Sequence, residues 1–180
     1  MGAVLVYGQP TPPPPTTPPK PPAPVRPSAS FPRTATNRWV LIVNAAGLPA
    51  SEFEDVRSYM EKDLWIRVEG IPLKARWPTL TEMIPTLFTS NRVVVVALGE
   101  GPEKGPWILS APDDQWAIVN VSRFLAGTTN RTLRLRQAAM RAFGYVIGVP
   151  VCQDAHCVMR VLRRAPDPFM QMGSNFCGPS

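Results

Sequence analysis

An α/β fold is what this sequence predicts: one domain built on a mixed β-sheet flanked by helices, with an α+β arrangement as the alternative. Three observations point there. Strand-like apolar runs, RWVLIVN (38–44) and RVVVVAL (92–98), alternate with stretches of helical periodicity. The apolar content of 44% in 180 residues supports one packed core. Residues 1–37 cannot join it: twelve of the 23 prolines lie between Pro10 and Pro32, and the stretch lacks the amide donors and apolar side chains that a core needs. The domain is therefore expected over 38–180, behind a disordered Pro/Thr-rich tail.

The elements follow in order. Residues 38–44 form a strand, since β-branched residues run continuously. A helix is expected over 51–63, with Ser51 as N-cap, Glu54 completing a capping box, and Phe53, Val56 and Met60 at helical spacing. Trp65–Val68 reads as a second strand, and Thr79–Phe88 as a short helix interrupted by Pro85. The run 92–98 has no polar alternation and belongs at the centre of the sheet. GEGPEKGP (99–106) is a turn-rich loop; it lacks the Lys-Ser/Thr ending of a phosphate-binding loop. Residues 107–110 and 116–121 pair across APDDQ. The last helix, over 134–148, ends at Gly148, where a left-handed residue is wanted, and Pro150 prevents its continuation.

The tail reads as extended polyproline II, a semi-rigid spacer. Met1–Gly8 is apolar but has no basic flank and is too short to span a membrane. It resembles the back half of a signal segment, so any membrane contact is expected through it alone. That layout fits an exported or cell-surface protein better than a cytoplasmic one. The sequons at Asn120 and Asn130 are weak signals, because Asn120 falls in a strand. The net charge of +6 is concentrated late: from Arg123 onward eight arginines face Asp154 and Asp167. Arg131, Arg134, Arg136 and Arg141 fall on the last helix, and Arg160, Arg163 and Arg164 follow it. No interleaved aromatics accompany them, so a solvated face is favoured over a nucleic-acid surface.

The last forty residues carry the chemistry. Gly148, Cys152, Cys157, Met159, Cys177 and Ser180 stand in the spacing G-x3-C-x4-C-x-M-x17-C-x-x-S. This resembles the signature of the archaemetzincins, metzincin-like zinc metallopeptidases, whose pattern is HExxHxxGxxHC-x4-C-x-M-x17-C-x-x-C. The resemblance covers residues 116–180 well, with 118–124 and 134–148 matching the family's strand and active-site helix, and residues 38–115 loosely. It implies a metzincin-like scaffold with Met159 at the Met-turn. It also places the three zinc-binding histidines at Arg141, Tyr145 and Val151, and the general-base Glu at Ala142. A zinc peptidase needs neutral imidazoles on the metal and a base beside its water. Arg stays protonated, Ala and Val have no donor atom, and one Tyr oxygen does not hold a catalytic zinc. No catalytic residue and no catalytic zinc are therefore expected, which makes the chain a pseudopeptidase that acts by binding a peptide or protein.

The resemblance further implies a structural zinc on Cys152, Cys157 and Cys177, with Ser180 in the fourth place. His156, the one histidine of the chain, is a candidate fourth ligand. A disulfide, most naturally Cys152–Cys157, is the other reading of the same residues. Two further functions stay open: an active metallopeptidase with atypical ligands, and a tethered surface module that binds an anionic partner through its arginines.

Overall fold

The computed structural model describes residues 39–87, 93–125, 130–162 and 168–177. The proline-rich tail, Arg163, Arg164 and Ser180 lie outside the described residues. Five strands form one sheet in the order β2-β1-β3-β5-β4. They are β1 (Trp39–Asn44), β2 (Val68–Pro72), β3 (Val93–Gly99), β4 (Ile108–Ala111) and β5 (Trp116–Asn120). All pair in parallel except β4, which joins β5 as an antiparallel hairpin. The sheet is mixed, and the alternation with helices makes the fold α/β.

Both faces of the sheet are covered. On one face, α1 (Ala50–Leu64) and α4 (Arg131–Val146) bury Val56, Met60, Leu135, Ala139 and Met140 against Val40, Ile42, Val94 and Val96. On the other, α2 (Trp77–Leu87) lays Leu80 and Ile84 on Leu41, Val43, Val95 and Ile118. Every residue of β3 is buried, which explains its unbroken apolar run: a central strand has no wet face. The helices α1 and α4 lie side by side, joined by the Arg131–Glu52 and Arg136–Asp55 ion pairs. A single helical turn, α3 (Ser122–Leu125), links β5 to α4. Its Phe124 packs with Trp107 and Phe169 in an aromatic cluster, ring centroids 4.8–5.0 Å apart.

The structure corrects four local expectations. Helix α1 begins at Ala50 behind Pro49, so Ser51 is already inside the first turn, and no side chain caps the helix. Glu54 instead binds Arg57 and Ser58. Trp65 is not in a strand: it is the left-handed residue that ends α1 (φ 55°), 92% exposed, and β2 starts three residues later. Helix α2 runs through Pro85 without interruption. Pro85 lies in the last turn, where it removes a single hydrogen bond instead of breaking the helix. Lastly, β5 ends at Asn120, so the stretch 118–124 is half strand and half helical turn.

A candidate site on the last helix and its cysteine-bearing turn

Helix α4 ends as its sequence demands. Ile147 donates to the Phe143 carbonyl, Gly148 takes a left-handed conformation (φ 75°), and Val149 donates to Gly144 O at 2.8 Å. The chain then folds back along the helix. Met159 is fully buried against α4, and a β-carbon built at Gly144 falls 2.6 Å from its sulfur. A glycine at 144 is what lets the turn carrying Met159 lie this close to the helix. That requirement shows in the sequence only as a glycine inside a helix, a residue that weakens helices and so needs a packing reason.

Arg141 and Tyr145, four residues apart, share one face of α4. Their side chains meet: Arg141 Nε donates to Tyr145 Oη at 2.8 Å. Arg141 is 3% exposed. Its Nη1 donates to the carbonyls of Val158 at 2.7 Å and Arg160 at 2.8 Å, and lies 3.8 Å from the sulfur of Met172. The guanidinium thus straddles Met159 and ties the helix to the turn on both sides of it. A planar fork of donors suits this task, since it reaches several acceptors at once without rotating. Gln137, one turn earlier, donates to the Met172 carbonyl at 3.0 Å and fixes the next segment in the same way. Neither Gln137 nor Met172 carries a signal in the sequence, because the partner of one is a carbonyl 35 residues away and that of the other a guanidinium 31 residues away.

The other two degenerate positions are not brought to this point. Ala142 is fully buried in the core between α4 and the sheet. Val151 is 58% exposed beyond the helix end. A catalytic zinc does not fit the groups present. The helix face offers a fixed cation and one phenol, with Nη1 of the guanidinium donating to two carbonyl oxygens and Nε to the phenol itself.

The three cysteines do converge. Cys152, Cys157 and Cys177 place their sulfurs within 4.8 Å of one another, and the Cys152 and Cys177 sulfurs are 3.4 Å apart. Backbone pairing holds them there. Cys152 N–H donates to Met159 O, Val161 N–H to Cys152 O, and Val158 N–H to Asn175 O, each at 2.8 Å. Two isolated bridges, Cys152 with Arg160 and Cys157 with Asn175, bring the three chain segments into register. Gly173 completes the arrangement: a β-carbon there would lie 1.7 Å from the His156 carbonyl oxygen. His156 itself does not join. It is exposed, its backbone N–H binds Asp154 Oδ1 at 2.8 Å, and its ring is not among the groups that converge with the sulfurs. A residue next to a ligand in a tight turn points elsewhere when its neighbour points inward.

The donor chemistry of this trio fits zinc. A zinc–sulfur distance of about 2.3 Å in a tetrahedral site puts sulfurs about 3.8 Å apart, within the spread seen here. Burial pushes the Cys157 thiol up, but hydrogen bonds from the Cys177 backbone, the Cys177 thiol, Met159 and Cys152 outweigh it and leave Cys157 below the ordinary value. Cys177 is pushed up to about 12 by the Cys157 and Cys152 sulfurs beside it. Cys152, Cys157 and Cys177 are not joined by a disulfide in this structure.

Of the arginines, Arg131 pairs with Glu52, Arg136 with Asp55, and Arg123 stacks on Trp107 at 4.3 Å. Arg160 donates to the Gln171 carbonyl. These partners are intramolecular. Asn120 is fully buried, accepting from Gly101 N–H and donating to Pro102 O, so its sequon has a structural use. Among the described residues no helix is long and apolar enough to cross a membrane.

Neither a protein-family model nor a curated protein matches the sequence. Solved structures do match the fold. The archaemetzincin from Methanopyrus kandleri superposes with a TM-score of 0.61 at 16% identity, over 82% of this chain and 92% of that one. The archaemetzincin from Archaeoglobus fulgidus, complexed with malonate, gives 0.59 at 17% identity, over 77% and 95%. The zinc-dependent peptidase from Methanocorpusculum labreanum gives 0.59 at 17% identity, over 77% and 96%. With its mixed sheet, its last helix and the turn folded back beneath it, this chain has the archaemetzincin-like fold.

Proposed function

We propose that this chain is a non-catalytic archaemetzincin-like domain that binds a peptide or protein and holds a structural zinc on Cys152, Cys157 and Cys177. One observation carries the reading. At the helix face where the resemblance places the first two zinc ligands stands a buried guanidinium, bonded to two main-chain carbonyls and a tyrosine hydroxyl. A fixed cation in that place repels a second cation and anchors the turn by itself. The residue that would be the general base is an apolar core alanine.

The binding surface that suits the reading is the outer edge of β4. It is an edge strand of the sheet, with no further strand paired to its outer side among the described residues, and a strand edge can offer main-chain donors and acceptors to an extended peptide. The proline-rich tail then serves as a spacer that positions the domain.

Zinc content per chain, measured by elemental analysis on protein purified without chelator, tests the reading together with a peptidase assay on an unstructured peptide. One zinc and no chelator-sensitive hydrolysis are expected. Two zincs, or hydrolysis that a chelator abolishes, would favour an active peptidase with atypical ligands. The variant R141H/A142E/Y145H/V151H supplies the converse test. Arg141 and Tyr145 already meet at 2.8 Å, so imidazoles at 141 and 145 would face one point, and a second zinc in this variant would require the exposed Val151 segment to turn inward and supply the third.

A further inference from the structure

The parallel part of the sheet has a topological switch. From β1 the chain passes through α1, on one face, to β2 at the edge. From β2 it returns through α2, on the other face, to β3 on the far side of β1. Loops leaving adjacent strands in opposite directions open a crevice at their carboxyl ends, the usual ligand position in open α/β sheets. A cavity of about 800 Å³ lies there. Its walls are the segments that follow β1 (Ala45, Ala46, Gly47), β2 (Lys74, Ala75, Arg76) and β3 (Glu100, Gly101, Pro102), with Trp77 of α2. Helix α4 runs from the carboxyl end of the sheet toward its amino end, beside α1. Arg141, Tyr145 and the cysteines lie near its far end, so the crevice is separate from the site described above.

The crevice is built, not left over. Asn44 caps the loop after β1, accepting from Leu48 N–H at 2.8 Å and donating to Leu48 O at 2.9 Å. Buried Asn120 pins the loop after β3 through Gly101 and Pro102. Gly101 lets the Trp77 indole lie against the strand end: a β-carbon there would fall 2.8 Å from the ring. The short side chains of Ala45, Ala46, Gly47 and Ala75 leave the space open. Lys74 and Arg76 are exposed at the rim, and among the described residues neither side chain has a hydrogen-bond or ion-pair partner. Glu100 is the one acid among the lining residues.

We propose that this crevice binds a small anionic ligand that carries a planar ring, of the mononucleotide class. The ring stacks on Trp77, the anionic group sits between Lys74 and Arg76, and Glu100 accepts from hydroxyl or amino groups. A volume of this size matches a ligand of that class. An aromatic floor with two cations on one rim supplies both halves of its recognition.

Isothermal titration of the full chain with AMP, adenosine and inorganic phosphate tests this. AMP is expected to bind more tightly than either fragment, and more weakly as salt is raised. K74A/R76A, which changes two exposed side chains, is expected to weaken AMP about tenfold or more, the loss of roughly one charged contact. W77F is expected to keep binding and W77A to lose it, with circular dichroism showing both variants folded. Adenosine binding as well as AMP would overturn the anion half, and phosphate binding as well as AMP would overturn the ring half. No AMP binding at millimolar concentration, or binding indifferent to K74A/R76A, would overturn the site.

Discussion

Replacing Arg141 by methionine removes the clasp between α4 and the turn bearing Met159. Met fills much of the same volume, so the change isolates the donors from the packing. Two main-chain carbonyls, Val158 O and Arg160 O, lose their guanidinium partner, and the first of these bonds is fully buried. A buried acceptor left unpaired costs about 1–3 kcal/mol. The Tyr145 hydroxyl also loses its donor, but it is part-exposed and water can replace it. Relief from burying a charge offsets some of the loss. The sum is about 3 kcal/mol, a large part of the roughly 5–15 kcal/mol that stabilises a typical domain. Urea denaturation followed by tryptophan fluorescence measures it as a lowered midpoint at unchanged slope. Arg141→Lys should recover only part, because one ammonium does not span Tyr145 and both carbonyls. A loss below about 0.5 kcal/mol for R141M would mean that water or a rearranged turn satisfies those carbonyls, and the clasp argument would fail. A loss equal in R141K and R141M would show that the fork geometry, not the charge, is what matters.

Other expectations follow from the same geometry. Cys157→Ala removes the buried member of the sulfur trio and should abolish zinc retention, whereas His156→Ala should leave the zinc content unchanged; elemental analysis separates them. Gly173→Ala drives a β-carbon into the His156 carbonyl, 1.7 Å away. It should therefore weaken zinc binding at least about tenfold, read by competition with a chromogenic chelator, even though residue 173 is no ligand. Arg57 holds Glu54 down at about 2 and Glu61 below its ordinary value. Carboxylates with a lowered folded-state pKa contribute stability above their unfolded value that is lost as pH falls through the folded one. The wild-type midpoint should thus decline between about pH 4.5 and pH 2. Arg57→Met should flatten that decline in a series of thermal melts, and an equally steep decline in the variant would sink the assignment.

Much of the sheet was legible before any coordinates. The unbroken apolar run at 92–98 has only one comfortable place, the middle of a parallel sheet, and the hairpin at 107–121 announced itself by its turn. The misreadings were local. Trp65 has strand propensity, yet a helix end needed a left-handed residue there, and the ring went to solvent. The capping box at Ser51 and Glu54 failed because Pro49 starts the helix early and Arg57 competes for the glutamate.

The spacing of Gly148, Cys152, Cys157, Met159 and Cys177 determined the scaffold, since a resemblance in register over thirty residues constrains how a chain folds back on its own helix. Chain spacing alone says which groups are missing from Arg141, Ala142, Tyr145 and Val151. It does not say what replaced them. The tertiary structure decided that Arg141 spends its donors on Val158 and Arg160, that three sulfurs spread over 25 residues of sequence share one point while His156 turns away, and that the loops after three strands enclose a crevice. Periodicity reports that a face is buried. Only the packed backbone supplies the carbonyls, glycines and neighbouring loops that fix what the face is buried against.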